Sequence, residues 1–222
     1  MVTLRNIHLV LGALFLFSIG LDSVFAAVPG NGVLKFAIVR NGKEIGFQVY
    51  RFRQVQDAVE VVVSTRIKFK LGFITVHRLN HDSHEIWKKD RLVAFSSSTS
   101  EKNIVKGRTK YHVAVQEDGE DLSVEAAQDG WRAPTDAIPA SFWNSEFVHA
   151  NTLIDTVDGA KLVVTVEPLG NDVISVNGGM LDARHYRVSG DMERELWYDH
   201  NNVLVQVRFI ADDGSEIQFV TR

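Results

Sequence analysis

The run AVEVVVSTRIKFKL, from Ala58 to Leu71, decides the fold. Val59, Val61, Val63, Thr65, Ile67, Phe69 and Leu71 alternate with Glu60, Ser64, Arg66, Lys68 and Lys70. Successive side chains of a strand point to opposite sides, so a period of two marks a strand with one buried and one solvated face. One long, half-buried strand is predicted. Upstream, Leu34, Phe36 and Ile38 and then Ile45, Phe47 and Val49 flank Asn41-Gly42, a pair that accepts the positive φ angles of the tightest hairpin turn. The same grammar continues downstream. Tyr111, Val113 and Val115 precede a turn at residues 117–120 and then Leu122, Val124 and Ala126; residues 153–157 precede Asp158-Gly159 and then Leu162, Val164 and Val166. Shorter runs at residues 173–176, 183–188, 196–198, 203–209 and 217–219 are separated by Gly178-Gly179, Gly190, residues 199–202 and Asp213-Gly214. A dozen or so antiparallel strands joined by tight turns is the expectation.

Such a chain must hide the edges of its sheet. Long strands and short links favour an all-β, antiparallel meandering β-barrel or half-barrel over a Greek-key sandwich. One region breaks the rhythm. Between residues 128 and 151 come Gly130, Trp131, Pro134 and Pro139, followed by Ser141, Phe142, Trp143, Asn144, Ser145, Glu146 and Phe147. Ser141 is expected to cap a short helix, with Phe142, Trp143 and Phe147 turned inward and Glu146 favoured by the helix dipole. This segment would form a short helical or irregular plug across one mouth, or simply an apolar lid that completes the core. Residues 96–103, rich in serine, read as a polar loop.

The first 26 residues have another character. Arg5 precedes an apolar run from Ile7 to Leu21, and Val24-Phe25-Ala26 resembles a small-residue cleavage site. The run falls short of the roughly 20 residues of a membrane-spanning helix. A signal peptide over residues 1–26 is therefore expected, followed by a single all-β domain over residues 27–222; a retained N-terminal anchor is the alternative. No stable membrane span is expected after processing. The formal charge of −4 is unchanged by removing this segment, which carries one base, Arg5, and one acid, Asp22. No basic stripe stands out in the sequence, so nucleic acid is not expected as a partner. Cysteine is absent, which removes disulfides, thiolate metal sites, a cysteine nucleophile and a lipid-modified cysteine. An exported chain of this size without disulfides fits a bacterial periplasm best, a secreted fate being the other possibility.

Several landmarks fall in a fixed order: the VRNGKEIG stretch from Val39 to Gly46, His84-Glu85-Ile86-Trp87, Asp90-Arg91-Leu92, Pro139-Ala140-Ser141-Phe142-Trp143-Asn144, Glu195-Leu196-Trp197-Tyr198-Asp199 and Asp213-Gly214-Ser215. In these the mature chain resembles a family of exported proteobacterial proteins classed as a domain of unknown function. The resemblance implies an all-β periplasmic protein with an open or closed barrel, distantly similar to lipoprotein-carrier and related lipid-handling barrels. It brings no activity and no catalytic residues.

Candidate chemistry is sparse. His77, His81 and His84 with Asp82 and Glu85 form the one histidine cluster. His81 and His84 are three apart, which in a strand puts them on opposite faces, and the pattern is not the helical HExxH of a zinc site. A polar hairpin loop is the plainer reading, and no metal or other cofactor is expected. Gly-x-Ser-x-Gly is absent. Glu193 and Glu195 share a strand face, with Met192 and Arg194 on the other, and read as a solvated outer surface. No catalytic residue is assigned.

The aromatic residues carry the functional reading. Trp87, Trp131, Phe142, Trp143, Phe147 and Trp197 fall near strand ends or in the plug segment, and are the candidate ligand contacts. A barrel of more than about eight strands has an interior wider than side chains alone fill. The sequence thus points to a non-enzymatic periplasmic barrel that binds an apolar or amphipathic, lipid-like molecule under the plug. A cell-envelope enzyme using the cluster from His81 to Glu85, or a purely structural envelope protein, are the alternatives. The sequence does not set the oligomeric state.

Overall fold

The computed structural model describes residues 28–176 and 178–222; the signal peptide read at residues 1–26 lies outside them. The chain forms β1 (Val33–Arg40), β2 (Lys43–Val55), β3 (Ala58–Leu71), β4 (Ile74–Lys88), β5 (Arg91–Asn103), β6 (Gly107–Asp118), β7 (Asp121–Glu125) and β8 (Trp131–Pro134). There follow β9 (Ile138–Pro139), a 3₁₀ turn (Ser145–His149), β10 (Thr152–Ile154), β11 (Lys161–Val176), β12 (Gly179–Gly190), β13 (Arg194–Tyr198), β14 (Leu204–Ile210) and β15 (Glu216–Thr221). All 15 strands belong to one meandering sheet, in the order β8-β7-β6-β5-β4-β3-β2-β1-β15-β14-β13-β12-β11-β10-β9. Every pairing is antiparallel except β9 with β10. The two ends of the order, β8 and β9, are joined in the chain by residues 135–137 alone, so the sheet curls until its ends come together, with no strand pairing between β8 and β9 among the described residues. It is an open barrel.

The faces of β3 follow from its alternation. Val59, Val61, Val63 and Thr65 are buried inside, while Val62 and Lys68 face out. The Asn41-Gly42 hairpin forms as predicted, with φ of 45° and 77°. Gly46 in β2 is required by close approach: a Cβ there would lie 2.0 Å from the Arg66 carbonyl oxygen.

Four local expectations are corrected. Residues 96–103 belong to β5 and are not a loop. Ser97 and Thr99 are buried and Ser96 and Ser98 exposed, because the inward hydroxyls find carbonyl partners inside the barrel. The stretch from His81 to Glu85 lies within β4, not in a hairpin loop. Residues 162–166 and 173–176 are one 16-residue strand, β11, whose register shifts between Pro168 and Gly170, the kind of irregularity that admits proline into a sheet. The short helix starts later than expected. Asn144 caps it through Oδ1, which accepts from the Glu146 amide at 3.0 Å; Phe142, at φ 62°, cannot sit inside a right-handed helix.

Candidate functional site

Residues 140–157, which follow β9 and include the 3₁₀ turn and the short strand β10, form a strap that hydrogen bonds tie to strands on several sides. Tyr50 of β2 donates its hydroxyl to the Ser141 carbonyl at 2.7 Å, and Tyr198 of β13 donates to the Phe142 carbonyl at 2.7 Å. Burial pushes the pKa of both phenols upward and keeps them neutral donors. From β5, Ser97 donates to the Thr156 carbonyl at 2.6 Å.

At the centre lies Glu85, with 0% exposure. Trp87 and Trp143 each donate an indole N–H to its Oε2 at 2.8 Å, and their rings meet edge to face with centroids 5.6 Å apart. Oε1 has no partner among the described residues. Burial raises the Glu85 pKa, and the two indole bonds pull it back. The knot fastens the strap to β4.

Beyond it is a cavity of about 260 Å³. Val63, Ile67, Leu79, Val207, Phe209 and Phe219 supply apolar walls, and Phe142 of the strap faces them. Polar groups are few and placed. His81 lines the cavity, bonds through Nδ1 to Thr99 Oγ1 at 2.8 Å, and is held neutral by burial, which lowers its pKa to about 4. Arg194 of β13 also lines it, with its guanidinium carbon 3.8 Å from the Phe209 ring centroid. Its hydrogen bond goes to the neighbouring Glu193 carbonyl, at 2.7 Å. Among the described residues it forms no ion pair within 4.0 Å. Burial lowers its pKa and the charge of Asp155 opposes that shift. Asp155, also on the cavity wall, is raised by burial and accepts from the Val157 amide at 2.6 Å.

Of the six aromatic candidates, the structure places Phe142 alone on this cavity. Trp87, Trp143 and Phe147 are buried in the main core; Trp87 also borders a wider hollow of about 650 Å³ near His149 and Asp136. Trp131 is partly buried at the rim and donates to the Gly159 carbonyl at 2.9 Å. Trp197 lies on the outer face, in a small cluster with Ala183 and Val205, stacked on His185 at 4.2 Å. Strand alternation also divides the histidine cluster: His81 and Glu85 face in, whereas Asp82 pairs with Arg66 at 2.8 Å and His84 approaches Glu60 at 3.8 Å outside. No group of three metal-ligating side chains is present among the described residues. Arg194 was missed as a site residue, although its place beside Leu196 and Tyr198, opposite in phase to Glu195, already signalled an inward charge.

The family model for a domain of unknown function, DUF6134, matches residues 36–222. The chain belongs to this family. Its fold is similar to that of a solved β-barrel-like protein of another domain of unknown function, DUF1849, from Brucella abortus. That likeness has a TM-score of 0.59 at 8% identity and covers 86% of this chain and 95% of the other, so it speaks to fold alone. No curated protein is significantly similar in sequence to this DUF6134 chain. Among the described residues of this DUF6134 protein, no helix is long and apolar enough to cross a membrane.

Proposed function

We propose that this protein is a non-enzymatic binding barrel of the bacterial cell envelope, exported by its first 26 residues, that holds an apolar or amphipathic lipid-like molecule in the cavity beneath the strap. The observation that carries the reading is the cavity wall itself: apolar side chains from β3, β4, β14 and β15, with Arg194, a cation that forms no ion pair among the described residues, beside them. A half-buried guanidinium is stabilised by an anion or strong dipole that meets it, so Arg194 suits the polar end of an amphiphile and Phe219 and Val207 its tail. At about 260 Å³ the space is just below the roughly 300 Å³ at which drug-sized pockets begin. It suits a small apolar molecule or one chain of a larger one.

An enzyme built on the cluster from His81 to Glu85 has less support, because Asp82 and His84 face away and Glu85 Oε2 is engaged by two indoles. Organic extraction and mass spectrometry of protein purified without detergent test the proposal. A near-stoichiometric lipid-like molecule is expected; protein that arrives empty and takes up no lipid offered to it would refute it.

A further inference from the structure

The hairpin tips β3–β4 and β5–β6 stand side by side, joined by a hydrogen bond from the Ile104 amide to the Val76 carbonyl at 2.9 Å. Together they expose Leu71, Phe73, Ile74, Ile104 and Val105, with Phe73 at 104% and Val105 at 88% of full exposure. Scattered apolar side chains are ordinary on a surface, but a contiguous group at one projecting edge marks an interaction site. Nothing in the fold of these turns requires them. The Phe73 ring is not packed on the core, and Gly72 and Gly107 already supply the positive φ angles, 58° and 81°.

Directly behind the tips, the register aligns like charges. Lys68 lies opposite Arg78, Arg78 opposite Lys102, and Lys102 opposite Arg108, a row of cations across four adjacent strands on the outer face. Lys70, Lys106 and Lys110 extend it, and all seven side chains are exposed. Like charges placed directly opposite on a sheet are destabilising, and none of these seven forms an ion pair among the described residues. The one acid in residues 67–79 and 101–110, Glu101, is paired with His77 at 3.0 Å. The pattern opposes local stability and fits an anionic partner outside the molecule.

We infer that the paired tips are a docking surface for an anionic lipid leaflet, with Phe73, Leu71, Ile104 and Val105 entering the interface and the cation row lying against the headgroups. Apolar tips backed by basic residues suit a membrane surface. A nucleic acid would use the cations and leave the aliphatic side chains in water. Pairing registers from Arg194 and Phe209 through β15 and β1 to the Asn41-Gly42 turn place the cavity residues Arg194 and Phe209 toward the same end of the barrel as these tips. The inference stands on the surface alone and does not depend on the cavity being occupied.

The test is co-sedimentation of the full chain with vesicles of phosphatidylglycerol in phosphatidylcholine and with phosphatidylcholine alone. Every variant carries the same residues 1–27, so comparing variants with the wild type on one vesicle composition holds that segment's contribution constant. Each surface cation contributes about fivefold, so the wild type should prefer anionic vesicles by at least a hundredfold at low salt. Replacing the row, Lys68→Gln, Arg78→Gln, Lys102→Gln and Arg108→Gln together, should lower that preference by at least about a hundredfold, Lys70, Lys106 and Lys110 sustaining what remains. Phe73→Ser with Val105→Ser should weaken anionic binding about tenfold or more. These positions are exposed, and unchanged melting curves confirm that the variants fold.

The chain has no cysteine, so Val105→Cys accepts a single environment-sensitive dye. Its emission should shift to the blue on anionic vesicles, while the same dye on Glu120→Cys, in the turn between β6 and β7 at the opposite end of β6, should not respond. Equal binding to both vesicle types, no binding, or no shift at Val105→Cys would overturn the inference. So would retention on immobilised DNA that needs the cation row while Phe73→Ser and Val105→Ser leave vesicle binding intact, an outcome that would assign the surface to nucleic acid.

Discussion

Replacing Trp143 by phenylalanine isolates what holds the strap in place. The substitution keeps an aromatic ring against Phe52 and Trp87, whose centroids lie 5.2 and 5.6 Å away, and deletes the N–H that bonds Glu85 Oε2 at 2.8 Å. Leaving a buried carboxyl short of a donor costs about 1–3 kcal/mol, and the smaller ring leaves a void worth about another 1 kcal/mol. A loss of about 2–4 kcal/mol is expected, read as a shift of the urea midpoint at constant slope. Because the bond needs both partners, the same change made in a Glu85→Leu background should cost at least about 1 kcal/mol less. Trp143 does not line the cavity, so the folded Trp143→Phe protein should bind an apolar fluorescent probe within about twofold of wild type. A coupling energy near zero would refute the anchoring role; a large loss of probe affinity with unchanged stability would instead make Trp143 a ligand contact.

Other perturbations read other parts of the fold. Val63→Asp puts a charge on the inner face of β3, where Val63 is 1% exposed, and should cost about 3 kcal/mol or more. Lys68→Asp, on the outer face opposite Arg78, should stay within about 0.5 kcal/mol of wild type; equal destabilisation of the two would disprove the face assignment. His81 titrates near 4 in the folded chain against 6.5 when unfolded, so between those values the unfolded chain binds the extra proton. Its contribution is therefore full above about pH 6.5 and lost as pH falls toward 4, a span of about 3 kcal/mol. His81→Gln should flatten that part of the stability profile, and parallel profiles for variant and wild type would contradict the burial of a neutral His81.

The long hairpins were legible because their periodicity and turn chemistry agree. Ala58–Leu71 alternates without a break over most of its length, and Asn41-Gly42 admits few other turns. The serine run was misread because composition suggested a loop while the decisive feature was alternation, Ser97 and Thr99 inward and Ser96 and Ser98 outward. Leu196, Trp197 and Tyr198 are all apolar or amphipathic, so their sequence conceals that Trp197 alone points out. The strap's aromatic content was correctly drawn to the interior, yet Trp143 and Phe147 ended in the core and Phe142 on the cavity. Which side of a buried segment faces a void depends on packing from many strands, and no local pattern encodes it. The row of Lys68, Arg78, Lys102 and Arg108 was invisible for a related reason: the residues are scattered in sequence and meet only through pairing register.

The central claim, that the cavity bounded by Phe142, Arg194 and Phe219 is a binding site, is tested most directly by titrating an apolar fluorescent probe into wild type and Val207→Phe. Val207 lines the cavity and is 5% exposed. A phenylalanine there would fill part of the 260 Å³ at a tolerable cost of about 1–3 kcal/mol in overpacking, and circular dichroism will show that the variant is folded. Saturable binding with one probe per wild-type chain is expected, weakened at least about tenfold in Val207→Phe. No saturable binding to wild type, or equal affinity in the two proteins, would contradict it.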